Sequence, residues 1–579
     1  MAYRTAPPKS RRRRLQRRAL PVGAIAFVAF VAGVVAGAGH VSGDQRTVEA
    51  FASGWRKGDY AAMRTHLTTA GQRSYDAATL GQAYRAAAET ATVRSYDIGR
   101  PRKDGAHAYL LPVTAHTVAF GDVRGTVRLP LEGDGDQARI VWAANLTFPG
   151  VAPGATLERH TRLAPRATLL ARDNEVLATG TSRSSTDLVN VASSIVGDLG
   201  PIPAERTEEF RLAGYPDDAQ VGLSGLERIF ERRLAGTPGG DLTAGGKVLG
   251  SSAPKAGRTV RTTISPPVQE AAITALAGRA GGVVAIAPTT GEVLAAAGVA
   301  FSGLQPPGST FKMITLAGAL QDGVATPASS YPYATGAVLS GVTLSNAYKE
   351  SCGGTLMQAF AISCNSVFAP LGAKLGARRL VAIAERFGFN KPPTIPGAAT
   401  STLPNATDIG DDLAVGSSAI GQDRVQATTL QMATVAAAIG LGGRLPSPTL
   451  AFPPGEPTRL GPRAVSARVA RQVRRMMVEV VRNGTGVRAA IPGVIVAGKT
   501  GTAELRTTQP CVPTPDNPES CAGQTVIPND TTDTDAWFAA FAPSRHPRVA
   551  VGVLLIENGA GGDTAAPAAR LVLEAGLRR

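Results

Sequence analysis

The chain has 579 residues, of which 44% are hydrophobic and 18% charged. That excludes global disorder and predicts three or four domains of roughly 100–200 residues each. The net charge of +16 is concentrated: residues 1–20 hold eight Arg and Lys and no acid, leaving an excess of eight elsewhere. A basic tail of this kind is a topology signal, and no nucleic-acid-binding surface is indicated.

The basic tail (1–19) precedes Leu20–Gly39, an uncharged apolar run of 20 residues. A helix of that length crosses a hydrocarbon core of about 30 Å. Because basic flanks stay inside, the expectation is a single-pass plasma-membrane protein with its N-terminus cytoplasmic and its bulk outside. The competing reading is a cleaved signal peptide ending near Ala36-Gly37-Ala38. Outside the cytoplasm four cysteines allow disulfides. Cys511 and Cys521 share a Pro-rich loop and are the favoured pair, with Cys352–Cys364 second; four free thiols is the alternative.

Residues 44–155 read as a small α+β unit. Val48, Phe51, Ala52 and Trp55 recur at helical spacing up to the turn signal Lys57-Gly58-Asp59. Strands are expected at Val93–Ile98, Ala108–Thr114, Thr126–Leu131 and Arg139–Leu146. His107 and His116 are too isolated to suggest a metal site. Residues 160–260 are mixed; Gly222–Glu227 opens an amphipathic helix, and Gly250–Gly257 has linker composition. From 262 to 579, apolar strands at Gly282–Ala287 and Glu292–Ala297 flank the hairpin signal Pro288–Gly291. A helical section follows from about 309 to 480. Strands return at Val494–Thr502, Trp537–Ala542 and Val549–Ile556, and Thr564–Leu577 reads as a terminal helix. Strands on both sides of a helical insertion predict one antiparallel sheet with helices on its faces.

Two segments match Ser-x-x-Lys, a number that chance can supply even with only ten lysines. Ser252–Lys255 contains Pro254, which breaks the helix needed to hold Ser and Lys on one face. Ser309-Thr310-Phe311-Lys312 follows the stop Pro306-Pro307-Gly308 and opens an apolar helix, Thr310–Leu320. Residues three apart share a face, so Lys312 can reach the Ser309 hydroxyl. To act as a base Lys312 must be neutral, which burial and a nearby cation promote. Ser363-Cys364-Asn365 offers a second hydroxyl and an amide; alone, it reads as a helix cap. Lys499-Thr500-Gly501-Thr502 ends a buried strand with a cation and two hydroxyls, and Gly501 admits a close backbone approach. That strand edge could take an extended peptide, with Lys499 holding a carboxylate. All six His lie outside residues 161–545, which disfavours a Ser-His-Asp triad around Ser309 or a His-based zinc site.

In this order the three motifs resemble those of the penicillin-binding proteins and serine β-lactamases. Gly421-Gln422, Thr429–Ala433, Ala536-Trp537-Phe538 and Ala565-Ala566-Pro567 look like further family segments. Residues 163–234 resemble the class B dimerisation (pedestal) domain. Residues 44–155 look like the NTF2-like domain of the methicillin-resistance type, and no room is left for a glycosyltransferase-like domain. The implied fold is α+β and multidomain: membrane anchor helix (20–39), NTF2-like α+β domain (44–155), pedestal (160–260) and a transpeptidase domain (262–579) with a five-stranded antiparallel sheet and helices.

The resemblance implies peptidoglycan D,D-transpeptidation. Ser309 attacks a D-Ala-D-Ala stem peptide, Lys312 is the base, Ser363 and Lys499 relay the proton, and Asn365 orients Lys312 and substrate. Thr500, Gly501 and Thr502 bind substrate, with Lys499, Thr500 and Thr502 on the terminal carboxylate. β-Lactams would acylate Ser309. No metal or cofactor is implied, and a glycan-polymerising membrane partner is. The rivals are a D,D-carboxypeptidase, a β-lactamase, and a non-catalytic β-lactam sensor or scaffold.

Overall fold

The computed structural model describes residues 42–452, 460–504 and 534–578. The basic tail, the Leu20–Gly39 run, and Cys511 and Cys521 lie outside these residues. Among the described residues no helix is long and apolar enough to cross a membrane. The chain forms two compact units: one contains the described residues through Arg162 with 203–217 and 237–254, the other residues 163–202, 218–236 and 255 onward.

In the first unit the helix Gly43–Lys57 buries Val48, Phe51, Ala52 and Trp55, the stripe seen in the sequence. It stops at Gly58, whose φ of 67° suits a residue without Cβ. Three shorter helices, through Thr90, follow. The strands Val93–Ile98, Ala108–Thr117, Asp122–Glu132 and Arg139–Ile140 then pair in that order, antiparallel. The strand expected over Arg139–Leu146 keeps two paired residues and then turns into a 3-10 helix, Ala144–Thr147. Gly250–Gly257 is also not a simple linker: Lys247–Ser252 pairs with Gly239–Ala244, which pairs with Leu157–Arg162. Glycine content there reflects a bulge and close packing, which composition alone cannot separate from a linker. His116 bonds Asp97 and Asp122 at 3.0 and 2.8 Å, contacts its isolation in sequence did not suggest.

The second unit is built on five antiparallel strands in the order Val293–Gly298, Gly281–Ile286, Val549–Leu555, Thr534–Ala542, Ala497–Glu504. Side chains alternate across a strand. Ala536, Phe538, Ala540 and Ala542 face the helices Pro266–Leu276 and Ala565–Arg578. Trp537, Ala539 and Phe541 face the other core, formed by Lys312–Gln321, Asn365–Leu375, Thr429–Gly440 and Ala467–Asn483. Both faces are covered, which is why these strands read as unbroken apolar runs. The section expected to be helical between 309 and 480 also contains short strands at Ser330–Ala334, Gly336–Leu339, Val342–Ser345 and Cys352–Thr355. Few of their residues are fully buried, so no alternation announces them. The helix expected over Val367–Leu380 is two helices, divided at Gly376 (φ 82°).

Candidate active site

Ser309 lies in a 3-10 turn, Gly308–Phe311, that runs directly into the helix Lys312–Gln321. The expected helix thus starts tighter than a regular α-helix, and Ser309 sits at its N-terminal end. The turn is locked from two sides. The Gly308 N–H donates to the Gly421 carbonyl at 2.9 Å. Gly308 has φ +51°, and a Cβ there would lie 2.6 Å from the Thr502 carbonyl oxygen. A Cβ on Gly421 would collide with the Gly308 carbonyl, and one on Gly501 would lie 2.8 Å from the Pro307 carbonyl. Glycines at 308, 421 and 501 therefore let three backbones converge beneath Ser309.

Lys312 is fully buried one helical turn further on. Its ammonium group donates to the Ser363 carbonyl at 2.7 Å, Asn365 Oδ1 at 2.7 Å and Ser363 Oγ at 3.3 Å. These contacts go to the Ser-Cys-Asn segment rather than to the Ser309 hydroxyl. Lys499, also fully buried, donates to Ser363 Oγ at 2.8 Å and the Thr500 carbonyl at 3.0 Å. One serine hydroxyl thus touches both lysines. Ser363 has φ +63°, unusual for a residue with a Cβ, and the turn it makes presents its carbonyl and hydroxyl together. Thr500 Oγ1 lies 2.6 Å from Thr485 Oγ1, and Thr502 Oγ1 accepts from the Gly561 N–H at 3.3 Å.

Burial and the neighbouring Lys499 push the Lys312 pKa well below its ordinary value. Burial alone brings Lys499 down to about 7. Phe368 and Phe360 lie beneath the two ammonium groups, at 5.7 and 5.6 Å from their ring centroids. Two of the Lys312 contacts are carbonyl oxygens, which can only accept. A neutral amine meets them with its two N–H groups and keeps a lone pair for a hydroxyl proton. The cluster is therefore suited to moving protons among Ser309, Ser363 and the two lysines, in a setting too dry for both to be charged.

The profile described as penicillin binding protein transpeptidase domain matches residues 281–574. The chain belongs to this family. Penicillin-binding protein dimerisation domain matches residues 187–262, so the chain has the class B combination of modules. A peptidoglycan D,D-transpeptidase PbpA of Mycolicibacterium smegmatis is 35% identical over 61% of this chain and 77% of its own length. MrdA of Haemophilus influenzae, also named a peptidoglycan D,D-transpeptidase, is 28% identical over 66% of each. Penicillin-binding protein A of M. tuberculosis, solved as a ceftriaxone acyl-enzyme complex, aligns with TM-score 0.55 and 28% identity, over 72% of this chain and 98% of that one.

In this penicillin-binding protein the lysines of two motifs, Lys312 and Lys499, meet on the serine of the third, Ser363. Cys352 and Cys364 form a disulfide, with Cα atoms 5.9 Å apart. Sequence reasoning missed Thr485 and the phenylalanines under the lysines, because no motif spacing marks them. It reached Gly421 only through family likeness.

Proposed function

We propose that the protein is a peptidoglycan D,D-transpeptidase that works through an acyl-enzyme on Ser309. The observation carrying this reading is the pair of buried lysines meeting on the Ser363 hydroxyl beside the Ser309 turn. The strand Ala497–Glu504 is at the end of the sheet, and its outer edge has no strand partner among the described residues. A stem peptide adds there as a further strand. Lys499, Thr500 and Thr502 hold its terminal carboxylate.

Neutral Lys312 takes the Ser309 proton as Ser309 Oγ bonds to the penultimate carbonyl carbon. Backbone N–H groups of Ser309 and Thr502 receive the developing oxyanion, an effect worth about 3–4 kcal/mol per donor. As the C–N bond breaks, the proton that Lys312 took is relayed through Ser363 and Lys499 to the departing D-alanine nitrogen. Asn365 fixes Lys312 and the substrate amide. The amine of a second stem peptide then attacks the ester carbon and gives up a proton, which returns through the same groups to Ser309 Oγ as the C–O bond breaks, leaving the cross-link and free Ser309. β-Lactams stop at the ester.

For the rest of the chain, helices preceding an antiparallel sheet support assigning 44–155 as an NTF2-like domain. The basic tail followed by the apolar run supports a single-pass anchor at 20–39, N-terminus inside. A membrane enzyme that polymerises glycan would be the partner.

Labelling with a fluorescent penicillin tests the nucleophile: wild type should hold the label and Ser309→Ala should not. Labelled Ser309→Ala would refute the assignment. A stem-peptide donor with a D-amino-acid acceptor should give exchange. Hydrolysis alone would point to a carboxypeptidase, rapid loss of label to a β-lactamase, and stable acylation with neither reaction to a sensor.

A further inference from the structure

The disulfide has its second cysteine inside the Ser-Cys-Asn segment, between the two residues that touch Lys312. It closes a ring of sequence separation 12 containing the strand Cys352–Thr355, the helix Leu356–Ala361 and the Ser363 turn. Both cysteines are buried. Inside the ring, a capping box between Thr355 and Gln358 fixes the entry to the helix. The strand Cys352–Thr355 pairs with Ser330–Ala334, and Gly336–Leu339 pairs with Val342–Ser345, so residues 330–355 fold back as one excursion.

That excursion also grips the far side of the motif. Asn365 Nδ2 donates to the Ser345 carbonyl at 2.8 Å. A carbonyl only accepts, so the Asn365 amide has one orientation, with Oδ1 toward Lys312. Asn346, buried, accepts from the Ser366 N–H at 2.8 Å and donates to the Ala334 and Glu350 carbonyls.

We propose that residues 330–355 form a brace, closed covalently by Cys352–Cys364, that positions Ser363 and Asn365 for acyl transfer. The inference rests on the acyl-enzyme reading of Ser309. Without the brace, a residue held at positive φ has little reason to stay there, and the Ser363 hydroxyl leaves the two lysines. Cys352, Cys364 and Asn346 are thus positioning residues, not catalytic ones.

The test uses Cys511→Ala/Cys521→Ala protein, in which only Cys352 and Cys364 remain. A dithiol reductant gives up two electrons and two protons, forming both thiols and its own disulfide; mass spectrometry after alkylation confirms completion. The maximal penicillin acylation rate should fall on the order of 10–100-fold. The affinity of the preceding non-covalent complex and the near-ultraviolet circular dichroism should stay as they were, and reoxidation of unalkylated protein should restore the rate. Asn346→Ala should lower the same rate with the disulfide intact. An undiminished rate after full reduction would overturn the proposal, and so would global unfolding or a parallel loss of affinity. Failure of the oxidised protein to acylate at Ser309 would instead remove the reading beneath it.

Discussion

The second unit buries two clusters of charge and neutralises them in opposite ways. In one, the pedestal cluster, named for Glu227 and Glu231 within the dimerisation-domain match, Arg166 and Arg183 each lie 2.6 Å from a Glu227 oxygen, and Arg166 is 2.8 Å from Glu231. Glu231 also accepts from the Gly222 N–H. Every charge there has an opposite partner. Around Ser363, Lys312 and Lys499 are just as buried, yet no carboxylate pairs with either among the described residues. Their neighbours are hydroxyls, carbonyls and rings, so burial is relieved by losing a proton. Paired charge holds chain segments together; unpaired cationic charge supplies a base.

The contrast predicts opposite outcomes for deletion. Lys312→Met should cut penicillin acylation by about 10²–10⁴-fold, the usual worth of a general base. It should leave urea-unfolding stability nearly unchanged, since it removes a desolvated amine that takes part in no ion pair. A stability loss as large as that of a broken ion pair would place Lys312 with the pedestal charges. Glu227→Ala should do the reverse, costing about 3–5 kcal/mol by stranding the buried Arg183 guanidinium and leaving Arg166 with Glu231 alone. Acylation per folded molecule should be retained. An unaltered unfolding midpoint would show that the pedestal cluster is not a structural lock.

The two clusters also differ in how legible they were. The lysines stood out because lysine is scarce and their motifs are short: Ser309 to Lys312 is one helical turn, and Lys499 ends an apolar strand. The pedestal charges left no such trace. Arg166 and Glu227 are 61 residues apart, and nothing local to either announces the pair. The five main strands were visible because each is buried on both faces. The four short strands of 330–355 were not, because they are held by Asn346, the disulfide and one another rather than by an apolar pattern. The Gly308–Gly421 contact is likewise tertiary, since each glycine is explained only by the backbone across from it.

A third buried charge tests which rule applies when neither remedy is complete. Asp535 is the second residue of the strand Thr534–Ala542; its Oδ1 accepts from the Glu557 N–H at 3.0 Å, while its buried Oδ2 has no hydrogen-bond partner among the described residues. Burial, and then repulsion from Glu557, outweigh that bond and raise its pKa to about 6. The folded state therefore keeps a proton that the unfolded chain gives up near pH 4. Between roughly pH 4 and 6 the folded form binds more protons, so this residue's contribution to stability is full below pH 4 and is lost as pH rises through 6. Asp535→Asn keeps an oxygen for the Glu557 N–H and cannot ionise. It should gain about 1–2 kcal/mol over wild type at pH 7.5, shrinking to nothing near pH 3.5, as read by urea unfolding at the two pH values. Acylation should be unaffected, because Asp535 pairs with Ala503, beyond the residues assigned to the substrate carboxylate. Equal or lower stability of the variant at pH 7.5 would mean that Asp535 is compensated as Glu227 is, and belongs with the paired charges after all.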